Sequence, residues 1–252
     1  MAGKLFVFDL DDTLMDNVHD YAVPILRMCQ VIIDELGSRA PHVSVLVALE
    51  EEIDLSNRNK INPKTGKVYG YSMDRFPTSL IETYLTICQR SGVKSNESTE
   101  SALYYIGIGA FDARRYKKNI KPGVVSVISF LRGIADRIVL CTAGDPVVQN
   151  KKVRTLESIN IKFDDVIIVD KKTPETFSSL AGDFEGSKYS IGNNYRSDIV
   201  PALEVGYRGI YIPIETWETI GQMDKVLAEV DSLRCDKFNS LYDIQDGYGG
   251  LR

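Results

Sequence analysis

The sequence predicts an α/β protein, a Rossmann-like parallel sheet with helices on both faces, into which an all-helical segment is inserted. Three observations carry this. Short apolar runs ending in polar or glycine residues recur along the chain. Helical periodicities separate those runs from about Lys121 onward. Between Asp16 and Lys118 the alternation fails, and only helical patterns occur. With 252 residues, 44% of them hydrophobic and 26% charged, the chain has material for a sizeable core, and neither a disordered nor a fibrous protein fits.

The first strand is Leu5 to Phe8, a run too short for anything but a buried strand, with carboxylates at its carboxyl end. Four helical stretches follow: Tyr21 to Leu36, Val43 to Ile53, Asp74 to Arg90 and Glu97 to Lys118. Asp74 reads as the start and Gly92 as the stop of the third. Between the second and third, residues 57–71 are rich in Asn, Lys, Gly and Pro and predict a loop or small hairpin. The alternation then resumes with strands at Arg137–Thr142, Asp165–Asp170, Tyr189–Gly192 and Gly209–Pro213. Their helices fall at Pro122–Ala135, Pro146–Ser158, Pro174–Ala181 and Ser197–Val205. The predicted organisation is an α/β core of residues 1–15 and 119–252 and a helical cap of residues 16–118.

Several function classes are excluded on composition. Thirty basic against 35 acidic residues leave a net charge of −5, a poor basis for gripping a phosphate backbone, so no nucleic-acid partner is expected. No run approaches the roughly 18 apolar residues of a membrane span, and Leu5 to Phe8 is too short for a signal-peptide core, so the expected location is the cytosol. The four cysteines, Cys29, Cys88, Cys141 and Cys235, form no CxxC pair and predict reduced thiols. Oligomeric state is not specified by the sequence.

Open α/β sheets bind ligands outside the carboxyl ends of their strands. The residues there are Asp9, Asp11 and Thr13 after the first strand, then Thr142, Ala143 and Gly144, then Lys171 and Lys172, then Asn193 and Asp198. Carboxylates gathered within about 4 Å repel by about 4 kcal/mol per pair at an effective dielectric of about 20, which calls for a cation. Oxygen donors select a hard ion, Mg²⁺. A lysine and a threonine hydroxyl supply the charge and the hydrogen-bond donor that a phosphoryl oxygen needs.

In this order the segments resemble the haloacid dehalogenase superfamily of hydrolases, in its phosphatase-like branch with a helical cap. Its first motif, DxDxT, reads Asp9-Leu10-Asp11-Asp12-Thr13 here. The second, a Thr or Ser ending the next core strand, is Thr142; the third, a lysine, is Lys171 or Lys172. The fourth, usually GDxxxxD, reads Gly192-Asn193-Asn194-Tyr195-Arg196-Ser197-Asp198.

The resemblance implies that Asp9 is the nucleophile, forming an aspartyl-phosphate while its other oxygen binds Mg²⁺, and that Asp11 is the general acid and then base, its backbone carbonyl also reaching the metal. It implies that Thr142 and the amides near Ala143 and Gly144 hold phosphoryl oxygens, with the motif-three lysine offsetting their charge. Lys172, just before the helix start at Thr173-Pro174, is preferred to Lys171 by a narrow margin. Asn193 departs from the usual aspartate; its amide oxygen can ligate Mg²⁺ without charge, and Asp198 is the expected carboxylate ligand of the metal or the support of that ligand set. The expected activity is hydrolysis of a small soluble phosphorylated metabolite enclosed by the cap. Dehalogenases lack the second aspartate, so Asp11 speaks for phosphate esters. The alternatives are a phosphotransferase or mutase, and a weakened binding or regulatory protein on the same fold. Tyr69, Tyr71, Arg75 and Lys67 are candidates for contact with the leaving group from the cap.

Overall fold

The computed structural model describes residues 3–134, 136–216 and 219–251. They form two compact units, one of Met1–Asn17 with Arg114–Arg252 and one of Val18–Ala113. Residues 16, 17 and 114–118, read from the sequence as part of the insert, belong to the first unit.

The first unit is built on a six-stranded, wholly parallel sheet in the order β3-β2-β1-β4-β5-β6. The strands are β1 (Lys4–Phe8), β2 (Arg137–Ala143), β3 (Asp165–Val169), β4 (Ser187–Gly192), β5 (Arg208–Tyr211) and β6 (Cys235–Lys237). Strand β1 is central because it is apolar on both faces: Leu5, Phe6, Val7 and Phe8 are at most 2% exposed, and each such side chain contributes about 1.5–3 kcal/mol when fully buried. Alternation sends Leu5 and Val7 to one face, where Val139, Phe177, Leu180 and Ala202 cover them. Phe6 stacks on Tyr189 at 5.1 Å between ring centroids. Successive crossovers run one way from β1 to β3 and the other way from β4 to β6. The order therefore reverses between β1 and β4, and the carboxyl ends at such a switch point are where open α/β sheets bind ligands.

Between these strands run α5 (Val124–Gly133), α6 (Pro146–Glu157), α7 (Pro174–Ala181) and α8 (Val200–Leu203). The helix read over Pro122–Ala135 thus ends by Gly133, and its last expected residue, 135, lies outside the described residues. The helix read over Ser197–Val205 is instead one turn of π-helix, Tyr195–Ile199, followed by α8. Strand β6 and the short helices Met223–Ala228 and Tyr242–Gly247 escaped the sequence reading. Three-residue β6 has no apolar run to reveal it and is placed by pairing with β5.

The second unit packs α1 (Val18–Leu36), α2 (Val43–Asn57), α3 (Arg75–Arg90) and α4 (Glu97–Ile108) around Met28, Ile32, Leu46, Leu80, Tyr84 and Leu103. The helix read over Glu97–Lys118 stops at Ile108 and passes into a 3₁₀ turn, Gly109–Phe111. Gly107 is required where α4 meets α3, because a Cβ there would lie 2.6 Å from the Pro77 Cα. Asp74 begins α3 but makes no side-chain cap; its carboxylate accepts from Tyr104 Oη and Asn62 Nδ2 instead. All four cysteines are buried and free, and no described helix is long and apolar enough to cross a membrane.

Candidate active site

The turn after β1 is tight. Leu10 O accepts from Leu14 N at 2.9 Å and Met15 N at 3.0 Å, and Asp12 sits at φ 60°, a left-handed conformation that Asp tolerates better than branched residues. Lys121 Nζ closes the turn on Asp12 O at 2.7 Å. Asp9, just past the carboxyl end of β1, is fixed to β4 by its N–H on Ile191 O at 2.9 Å.

The two candidate lysines differ in burial. Lys171 is exposed, whereas Lys172 is 6% exposed and its Nζ donates to Asp9 Oδ1 at 2.5 Å and Asp198 Oδ1 at 2.7 Å. The Thr173–Thr176 capping box, with Pro174 in the first turn, anchors α7 immediately after Lys172 and so fixes where the chain turns inward. One ammonium thus serves two carboxylates. Burial pushes the Asp9 carboxyl up, to about 7; Lys172 pulls it back, while Asp198 and Asp11 push further. For Lys172 burial acts downward, but Asp198 and Asp9 outweigh it and hold the ammonium above the ordinary lysine range.

Asp198 is held by all sides of its carboxylate. Oδ1 also accepts from Ser197 Oγ at 3.1 Å, and Oδ2 accepts from Asn194 N at 2.9 Å. Gly192 makes room for it, since a Cβ there would lie 2.2 Å from Asp198 Oδ2. Asn193 is tied to the first motif: its N–H donates to Thr13 Oγ1 at 3.0 Å, and Thr13 Oγ1 donates to Asn193 Oδ1 at 3.2 Å.

Thr142 is fully buried, and its Oγ1 lies 3.2 Å from Gln149 Nε2. Ala143 O accepts from the same amide at 3.1 Å. Gly144 departs from its expected part as a phosphate donor. Its N–H is turned to Val169 O at 3.4 Å, and its missing Cβ admits Gln149, whose Nε2 would otherwise be 2.3 Å away. Asp11 accepts from Lys152 Nζ at 2.6 Å on Oδ1 and from Gln149 Nε2 at 2.8 Å on Oδ2.

Gln149 and Lys152 were missed by the sequence reading. The available signal was their spacing of three on α6, on the same face as buried Val148, Val153 and Leu156. In the second unit, Arg75 proves to be spent internally, paired through Nη2 with Asp54 Oδ2 at 2.9 Å, and Tyr69 is only 7% exposed. A separate depression of about 400 Å³ lies at the amino ends of β2 and β3, lined by Arg132, Asp136, Arg137 and Asp164. Its guanidiniums are already paired with Asp164 and Asp165.

The residues fit a hard cation in charge more than in ready-made geometry. Asp9 and Asp198 share Lys172, Asp11 is paired with Lys152, and Asp198 and Asp11 both push the Asp9 carboxyl up, a crowding of acids that a cation would relieve. The donors at hand are Asp9 Oδ2, the remaining lone pair of Asn193 Oδ1 and backbone carbonyls, all oxygen. No three His, Cys, Asp or Glu side chains form a ligand cluster among the described residues.

Asp9 thus stands at the switch point of a doubly wound parallel sheet, paired with buried Lys172. The haloacid dehalogenase-like hydrolase profile matches residues 4–185, and the chain belongs to that family. A haloacid dehalogenase-like family hydrolase from Xanthomonas campestris is similar over 99% of this chain and 96% of its own, with 20% identity and a TM-score of 0.67. A HAD phosphatase from Thermococcus onnurineus is similar over 99% of both chains (14% identity, TM-score 0.56). An L-2-haloacid dehalogenase from Xanthobacter autotrophicus, with chloropropionic acid covalently bound, is similar over 100% of both (14% identity, TM-score 0.52). At these identities the likeness establishes the fold. No curated protein sequence matches the chain.

Proposed function

We propose that this hydrolase is a Mg²⁺-dependent phosphomonoesterase acting on a small phosphorylated metabolite through an aspartyl-phosphate on Asp9. The observation that carries the reading is the pairing of buried Asp9 with Lys172 at 2.5 Å, two residues before a second, separately held carboxylate, Asp11. Displacing a halide from carbon needs a nucleophile but no acid for the leaving group, whereas breaking a P–O ester bond needs both.

The steps follow from the side chains. An Asp9 carboxylate oxygen attacks phosphorus, the bond to the ester oxygen breaks, and Asp11, which enters the step protonated, gives that oxygen its proton. Asp11 then takes a proton from water, the resulting hydroxide attacks phosphorus, and Asp9 leaves as carboxylate. Lys172 and the Thr142 hydroxyl hold phosphoryl oxygens, in a site dry enough that each charged contact counts for more than in water. Asp9, Asn193 and the Asp11 carbonyl would hold Mg²⁺, with Asp198 adding charge while its oxygens stay engaged by Lys172 and Asn194. The ion would neutralise charge building on the phosphoryl group.

The test is phosphate release from a panel of phosphorylated metabolites and an aryl phosphate, with Mg²⁺ and with chelator. Metal-dependent release that vanishes in Asp9→Asn supports the reading. No release from any compound by folded protein overturns it, and transfer of labelled phosphate to a sugar hydroxyl would make the protein a phosphotransferase.

A further inference from the structure

Two side chains on α6 have no part in the steps above, yet both are buried in polar contact with the site. Gln149 is 2% and Lys152 3% exposed, and lysine is almost never so buried unless paired. Asp145 caps α6 through Val147 N at 2.9 Å, which fixes the first turn, so residues 149 and 152 project from one face of a rigid helix. They reach the same target. Lys152 Nζ takes Asp11 Oδ1 at 2.6 Å and Gln149 Nε2 takes Asp11 Oδ2 at 2.8 Å, so both oxygens are gripped by donors from one element.

Each clamp residue also holds a second group. Gln149 Nε2 lies 3.2 Å from Thr142 Oγ1, and Lys152 Nζ donates to Asn17 Oδ1 at 2.8 Å. Asn17 is the last residue of the α/β unit before the chain enters α1. Gln149 Oε1 is buried with no hydrogen-bond partner, and an orphan of that kind costs stability. A methionine of similar shape would avoid that cost. The amide is therefore placed for what Nε2 donates to, and Gly144 is open for the same reason.

We propose that Lys152 and Gln149 are positioning residues that clamp the Asp11 carboxylate in one direction relative to Asp9 and Thr142, and that Lys152 fastens this direction to Asn17. The proposal rests on the phosphatase reading for its kinetic consequence, but not for the clamp itself. For the ester oxygen to receive a proton, Asp11 must present one oxygen to it, and a side chain with two free torsions would otherwise spend most of its time elsewhere. Lys152 and Gln149 touch no substrate in this scheme and act through Asp11.

The experiment is a double-mutant cycle between Lys152→Met and Asp11→Asn, read on an alkyl phosphate and on p-nitrophenyl phosphate with Mg²⁺. Lys152→Met is expected to lower kcat on the alkyl ester about 10- to 100-fold with KM within about twofold, a share of the usual general-acid contribution. The first aryl burst, whose leaving group needs no proton, should fall less than about threefold. In the Asp11→Asn background Lys152→Met should change rates by less than about twofold, because residues acting as a unit are not additive. Equal losses in both backgrounds, or on both esters, overturn the proposal.

Gln149→Met guards against a variant that fails to fold. It should fold at least as stably as the wild type and still lose alkyl-ester turnover; unchanged turnover overturns Gln149's part. A readout independent of activity is the Asp11 carboxyl ¹³C resonance, assigned by its loss in Asp11→Asn. It should move in Lys152→Met and Gln149→Met and stay in Lys151→Met, a change at an exposed neighbour. A resonance unmoved in both clamp variants sinks the clamp. If wild type hydrolyses nothing, the phosphatase reading falls separately and the resonance alone decides.

Discussion

The α/β unit and the helical unit each bury carboxylates, and they treat them differently. At the strand ends buried Asp9 and Asp198 share Lys172, and half-buried Asp11 has Lys152. In the helical unit a polar seam runs between α2 and α3, with Asp54 and Asn57 on one helix facing Arg75, Ser79 and Glu82 on the other. Arg75 grips Asp54 with two nitrogens, Nε on Oδ1 at 3.0 Å and Nη2 on Oδ2 at 2.9 Å. One turn earlier on α2, Glu50 is 2% exposed and its Oε1 has no hydrogen bond. Burial pushes the Glu50 carboxyl up, to about 8; Asp54 and Glu51 add to this, and Arg75 opposes it. A buried acid can therefore be met by a cation that opposes the upward push of burial, as at Asp9, or be left to hold its proton, as at Glu50.

The sharpest break of that comparison is at Asp9. Asp9→Asn keeps size and burial but removes the attacking anion, and turnover should fall at least about 10⁴-fold with circular dichroism unchanged. Lys172→Ala should cost about 10²- to 10³-fold in kcat and, by stranding two buried carboxylates, about 3–5 kcal/mol of stability, while Lys171→Ala changes neither. Denaturant titration beside steady-state kinetics checks both, and equal effects at the two lysines would refute the burial argument.

In the helical unit the same kind of removal should act on stability alone. Arg75→Met leaves Asp54 buried without its cation and should cost about 3 kcal/mol, seen as earlier urea unfolding. The smallest effect is Glu50→Gln. Glu50 takes up its proton more tightly folded than unfolded, so its contribution is whole below about pH 4 and is lost as the pH rises through about 8. The substitution should raise the melting temperature by about 4–8 °C at pH 8, for on the order of 2 kcal/mol, and by far less at pH 5. A gain equal at both pH values would show that Glu50 is already ionised in the fold.

Much of this was legible in the chain. The Leu5–Phe8 run, the alternation after Lys121 and its failure between Asp16 and Lys118 predicted the sheet and its helical interruption, because burial on two faces leaves a pattern that local sequence can carry. Asp9, Asp11, Thr142 and Asp198 were legible because each follows an apolar run, and strand ends are where a parallel sheet exposes its residues to a ligand. The Glu97–Lys118 helix was overread because its apolar spacing continues past Ile108, although Gly109 stands at its C-cap and offered a local stop.

What the sequence determined by itself was the order of the elements and the kind of chemistry that could sit at their ends. Only the tertiary structure decided between Lys171 and Lys172, which are identical in type and adjacent in the chain but differ in burial. It alone turned the Gly144 N–H to Val169, spent Arg75 on Asp54, and brought Gln149 and Lys152 to an aspartate 138 and 141 residues away. The physical reason is the range of the forces. Periodicity reports which face of an element is dry, but a buried charge is settled by partners that meet it only once the chain has folded.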